Sequence, residues 1–139
     1  MDKLVMPNEV LLEEAGRLLE EGREVCFTPL GNSMLPFIRG GKDSVRLRKN
    51  PDVAVGDIVL VRLPGRYVLH RVINRNGEQL VLMGDGNVSG TEPCSLADVI
   101  GTVTAIVRGD RTIQPGPARW WRRLRPIRRY ILAIYRRII

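Results

Sequence analysis

Three residue types that together can cleave an acyl bond occur in this chain in the order Ser33, His70, Asp85. Ser33 lies in Gly31-Asn32-Ser33-Met34-Leu35-Pro36. His70 lies in Tyr67-Val68-Leu69-His70-Arg71-Val72-Ile73, and Asp85 in Gly84-Asp85-Gly86-Asn87. A serine hydroxyl is a poor nucleophile unless a base takes its proton, and the base works best when a third group fixes its tautomer. The chain has one histidine, so the choice of base is almost forced if the chemistry is serine hydrolysis. Singly, each residue has an ordinary explanation. A Gly-Asn-Ser turn is usually only a turn, and a turn aspartate usually caps its own backbone. A lone histidine on an apolar strand is more often a packed residue than a catalyst.

The elements that must position these groups are short. Asn8 is placed to cap a helix, with Glu9 in its first turn. Leu11, Leu12, Ala15, Leu18 and Leu19 then recur at helical spacing, and Gly22 ends the run. Beyond it the period changes. Val25-Cys26-Phe27, Ser44–Arg48 and Asp57–Leu63 read as strands, the last bounded by Gly56 and by Pro64-Gly65. Tyr67–Ile73 and Gln79–Met83 read as a hairpin across Asn74-Arg75-Asn76-Gly77, since Asn-Gly favours the tight turn. Val99–Val107 reads as a strand with a break near Gly101, and Arg111-Thr112-Ile113 as a closing strand after Gly109-Asp110. Many short strands with Gly and Pro turns predict a mostly β domain with a small, coiled, antiparallel, barrel-like sheet. The expected organisation is an N-terminal helix over 1–22, a β domain over 23–114, and a linker plus C-terminal helix over 115–139.

Composition narrows the partners. At 139 residues, one domain is expected. The net charge of +7 is unevenly spread: residues 119–139 hold eight arginines and no acid, leaving 14 basic and 15 acidic side chains in the rest. Ile127, Ile131, Ile134 and Ile138 fall at helical spacing among these arginines, after Trp120 and Trp121. That pattern predicts a basic amphipathic helix for an anionic membrane surface or a protein partner; packing on Leu11 and Leu18 is its internal alternative. No base-reading motif accompanies the charge, which disfavours nucleic acid. Cys26 and Cys94 form no CxxC pair and read as free thiols of a reducing compartment, and with one histidine they make no zinc site. No metal or cofactor is expected. Without a long apolar run or the layout of an export signal, the chain is expected in the cytoplasm or at the cytoplasmic face of a membrane.

Taken together, the Ser33 box, Gly56-Asp57-Ile58-Val59, His70-Arg71-Val72, Gly84-Asp85-Gly86-Asn87 and Ile100-Gly101 resemble, in order, the boxes of the signal peptidase I family, the S24/S26 serine peptidase group. The resemblance covers about residues 27–107. The histidine sets it nearer the archaeal and endoplasmic-reticulum type than the lysine-dependent bacterial type. The resemblance implies a signal peptidase/LexA-like fold and cleavage of a peptide bond in a leader or protein substrate through an acyl-enzyme. By position, Ser33 is the nucleophile, His70 the general base and acid, and Asp85 the group that orients His70 or supports the site. The Ser33 N–H is the natural oxyanion donor, and Asn32 and Met34 flank it as binding positions. Gly31 stands where the family often has a serine. Glu92 rivals Asp85 as third member, and a helix of soluble type replaces the family's N-terminal anchor. The rival expectation is a retired peptidase fold that binds peptides or a partner at the membrane surface.

Overall fold

The computed structural model describes residues 2–4, 9–87, 90–116, 129 and 131–134. The expected cap Asn8 and most of the tail, including Trp120, Trp121, Ile127 and Ile138, lie outside these residues.

The architecture is mostly antiparallel β-sheet with an N-terminal helix over it, as the change from helical to strand period at Gly22 predicts. The elements are β1 (Asp2–Leu4), α1 (Glu9–Glu20), β2 (Val25–Phe27), β3 (Ser44–Arg48), β4 (Ile58–Leu63), β5 (Arg66–Asn76), β6 (Gln79–Met83), β7 (Glu92–Ser95), β8 (Val99–Arg108) and β9 (Arg111–Ile113). The strand order is β1-β2-β3-β8-β4-β5-β6-β7, with β9 also paired to β8. Among the described strands, β1 and β2 alone run parallel. The sheet is open, with β1 and β7 at its ends.

Two strands depart from the sequence expectation by addition. β1 joins the sheet ahead of the helix, and β7 adds an edge strand beside β6. Both are very short, and β7 contains Pro93, which is tolerated at an edge and reads in sequence as a loop. The β5–β6 hairpin is also longer than expected. Asn74–Asn76 continue the ladder, and only Gly77 and Glu78 separate the pair Asn76 and Gln79. β8 is unbroken at Gly101 but bulged. Its register shifts against β3 between Arg46 and Leu47, and against β4 between Leu60 and Val61. Such bulges bend a strand, and β8 pairs with β3 on one edge and with β4 and β9 on the other.

Alternation along β4 and β5 divides the core between the two sheet faces. Ile58 and Leu60, with Tyr67 and Leu69 packed near them, join one cluster; Val59, Val61, Val68 and Val72 join the other. Ala15, Leu18 and Leu19 of α1 cover the first cluster. The helix seats over Gly101, where an added β-carbon would lie 2.9 Å from Leu19 Cδ1. Fully burying each leucine contributes roughly 1.5–3 kcal/mol.

The segment between β2 and β3 carries Ser33 and has no strand of its own. Its far end is fixed by Asp43, which is fully buried. Asp43 accepts from the Arg39 N–H at 2.8 Å, from Arg39 Nη2 at 2.9 Å and from Arg108 Nη2 at 3.0 Å. Arg108 Nη2 also donates to the Phe37 carbonyl. Burial alone would raise the Asp43 carboxyl, but the hydrogen bonds from Arg39 and Arg108 outweigh it and hold the pKa below its ordinary value. A depressed folded pKa means stability that is present above the unfolded pKa of about 3.9 and is lost as pH falls through the folded value. Urea unfolding from pH 6 down to pH 2 should therefore show a falling midpoint in the wild type. Asp43→Asn should be about 1–3 kcal/mol less stable at pH 6 and should lose that part of the acid dependence.

Candidate active site

β5 presents His70, and strand alternation puts it on the face of Val68 and Val72 while Arg71 faces the other way. The β5–β6 register places Met83 opposite Arg71 and Leu82 opposite Val72. Gly84 therefore follows on toward His70, and Asp85 is the diagonal neighbour of Arg71. The side chains obey this division. Arg71 is 0% exposed and Asp85 2%. Arg71 Nε donates to Asp85 Oδ1 at 2.8 Å and Nη2 to Oδ2 at 2.7 Å. Arg71 Nη1 donates to the carbonyls of Gly56 at 2.8 Å and Gly116 at 2.7 Å, and the guanidinium lies 5.2 Å from the Phe37 ring centroid.

Of the two roles expected for Asp85, orienting His70 or supporting the site, the pairing with Arg71 fits the second. Asp85 is two residues past Met83 on the arginine's face of the sheet, and its carboxylate is engaged by Arg71. The group on the histidine is Glu92, the rival named from sequence. Leu82 pairs with both Val72 and Glu92, which carries Glu92 on β7 to the histidine's face. The Nδ1 of His70 is hydrogen-bonded to Glu92 Oε1. A carboxylate only accepts, so Nδ1 carries the proton and the neutral ring presents its lone pair at Nε2.

Nε2 points toward the serine loop. A β-carbon built on Gly84 would lie 3.0 Å from His70 Nε2 and 2.4 Å from the Ser33 carbonyl oxygen. One built on Gly86 would lie 2.3 Å from the Asn32 carbonyl oxygen. These glycines let the 84–87 turn lie directly on the serine loop, where the Gly86 N–H donates to the Ser33 carbonyl at 2.7 Å. The Asn32 carbonyl accepts from the Leu35 N–H, and the Asp85 N–H meets Met34 Sδ at 3.4 Å. Ser33 itself is half-buried. Among the described residues its hydroxyl and N–H take no hydrogen-bond partner, so the resting structure has no Ser33–His70 hydrogen bond.

Ser33 and His70 line one cavity of about 350 Å³. Its wall is mixed, with the apolar Leu12, Phe27, Leu60 and Leu69 facing it together with Arg66 and Tyr67. Met34 is both buried in the core and part of this wall, whereas Asn32 is exposed on the loop and outside the lining. The cavity follows a particular edge of β5. Arg66–Arg71 pair with β4, but β6 pairs only from Arg71 onward. Among the described residues no strand covers Arg66–His70 on the edge away from β4.

Arg71 and Gly84 are the positions that the sequence reading did not assign. Their signals were a charged residue inside an apolar strand, which needs a buried partner, and a glycine directly at a strand end. Cys26 and Cys94 are buried and are not joined in a disulfide. Burial, then the charges of Asp98 and Glu92, pushes the Cys94 thiol up to about 11. A thiol so protonated is a weak nucleophile. No group of three or more His, Cys, Asp or Glu among the described residues is placed to hold a metal ion. No protein-family model matches the chain, and no curated protein matches it.

A methyl group has no room at position 84. Gly84→Ala should cost about 1–3 kcal/mol in a denaturant titration. It should also shift the ring resonances of the single histidine by NMR, whereas Gly77→Ala, in the open hairpin turn, should leave them in place.

Proposed function

We propose that the chain is a serine endopeptidase of the signal peptidase I-like, S24/S26 type. Ser33 is its nucleophile, His70 its general base and acid, and Glu92 the group that holds the imidazole. The observation that carries this reading is the pairing of His70 Nδ1 with Glu92, with Nε2 and Ser33 on one cavity. In the reaction Nε2 takes the Ser33 proton as Oγ bonds to the substrate carbonyl carbon. The Ser33 N–H is available to the developing oxyanion. Nε2 then returns the proton to the leaving amine, and water repeats the sequence to release the acyl group. The uncovered edge of Arg66–His70 suits a substrate segment added as an extended strand, the geometry in which main-chain hydrogen bonds hold a peptide across a site.

The absence of a Ser33–His70 hydrogen bond in the resting geometry favours a second reading, a retired peptidase fold that binds a peptide along the same edge. A serine-directed fluorophosphonate separates the two. On the peptidase reading it labels the wild type at Ser33. Ser33→Ala abolishes labelling and His70→Ala slows it by at least about 10³-fold. Glu92→Gln should slow it by about 10²-fold or more with little loss of stability. Asp85→Asn should show the opposite pattern, with about 3 kcal/mol of stability lost because Arg71 is left buried and unpaired. Absence of labelling in the folded wild type would favour the binding module.

For residues 119–139 we propose an anionic membrane surface as partner, on the strength of eight arginines without an acid. Among the described residues no helix is long and apolar enough to cross a membrane, so attachment would be peripheral. Flotation of the full chain should occur with vesicles containing phosphatidylserine, fall with added salt, and vanish with neutral vesicles. Equal flotation with both vesicle types would remove the charge-based attachment.

A further inference from the structure

The serine loop is held from two sides, and the second side is the C-terminal tail. Residues 129 and 131–134 are helical. Within them Leu132 is 1% exposed and packs on Leu35, which is 0% exposed, with Phe37 and Ile131 against the pair. Leu35 is two residues from Ser33 in the chain. Phe37 lies over the Arg71 guanidinium, and the Gly116 carbonyl accepts from that same arginine. The start of the tail and its helix therefore both reach the outer side of the serine loop. Ile134, by contrast, is 63% exposed. Of the expected stripe, Ile131 packs here and Ile134 does not, while Leu132, outside the stripe, is the buried member. The contact of these described residues is with the serine loop.

We propose that Leu132 is a positioning residue for Ser33. On the inner side, the Gly86 N–H holds the Ser33 carbonyl. On the outer side, Leu132 closes over Leu35 and prevents the loop from lifting off the 84–87 turn. The loop has no strand pairing between Thr28 and Asp43, so removing the leucine side chain frees it to move. A serine displaced by even about 1 Å from its base loses much of its reactivity.

The link to reactivity rests on the peptidase reading above, whereas the link to the loop does not, and the experiment measures the two separately. In the full chain, Leu132→Ala, Leu132→Met and Ile134→Ala are compared by amide hydrogen exchange and by fluorophosphonate acylation. Leu132→Ala should raise exchange at Leu35, Phe37 and Ile38 roughly tenfold while leaving β4 and β8 protected. It should slow acylation of Ser33 about tenfold. Leu132→Met should restore both, and Ile134→Ala should change neither. Unchanged loop exchange in Leu132→Ala would overturn the proposal. So would faster exchange without slower acylation. If the wild type is not acylated at all, the peptidase reading fails, and loop exchange alone decides whether Leu132 clamps the loop. Should Leu132→Ala fail to fold, Leu132→Val replaces it, with the same directions expected.

Discussion

The buried ion pair between Arg71 and Asp85 is the constraint on which the site depends. Each of these charges costs several kcal/mol to remove from water, and the cost is offset only when all donors and acceptors are met. Arg71 meets this condition through Nε, Nη1 and Nη2, which donate to Asp85, Gly56 and Gly116. The consequence is geometric. One side chain ties β5 to the turn before β4, to the turn after β6 and to the start of the tail. Of these, the turn after β6 matters most, because Gly84 and Gly86 flank Asp85. With Asp85 held, both glycines are pressed against the serine loop, and the Gly86 N–H has a fixed partner in the Ser33 carbonyl.

That arrangement explains why small residues surround the carboxylate. The turn and the loop approach closely enough that β-carbons at 84 and 86 would overlap backbone oxygens. Backbone contact of this kind is stiffer than contact between long side chains, which would have rotamers to lose. The serine loop contributes little regular pairing of its own. Beyond the burial of Met34 and Ile38 in the core, three attachments hold it: Asp43 with its two arginines, the Gly86 hydrogen bond, and Leu132 on Leu35.

Much of this was legible in the sequence, and the reasons it stopped where it did are physical. The stripe from Leu11 to Leu19 and the strands at Val25, Ser44, Ile58 and Gln79 carry clear periods, and the helix and strands occur there. Ser33 and His70 stood out through local context, and they do line one cavity. Which of its two expected roles Asp85 takes, on His70 or in support of the site, was not legible because sequence order says nothing about strand register. A shift of one residue moves a side chain to the other face. Only the pairing of Arg71 with Met83 reveals that Asp85 belongs to the arginine. β7 was missed because four residues with a proline make no strand pattern, and Glu92 could be named as a rival but not placed. The tail's apolar stripe was drawn through isoleucines at helical spacing. Among the described residues, docking on Leu35 buries Leu132 beside Ile131 and leaves Ile134 exposed, and nothing local in the sequence marks Leu132 for that place.

The division of labour between the two carboxylates follows from the same register. An acid that orients an imidazole must have an oxygen free for Nδ1. Glu92 on its edge strand has one and places it on Nδ1. Both oxygens of Asp85 are engaged by the buried Arg71 guanidinium. Exchanging the two roles would require β6 to slip by one residue against β5. That would set Gly84 on the face of Arg71 and part the arginine from Asp85. The ion pair therefore does more than fix the turn: it opposes a misregister that would change which acid faces the histidine.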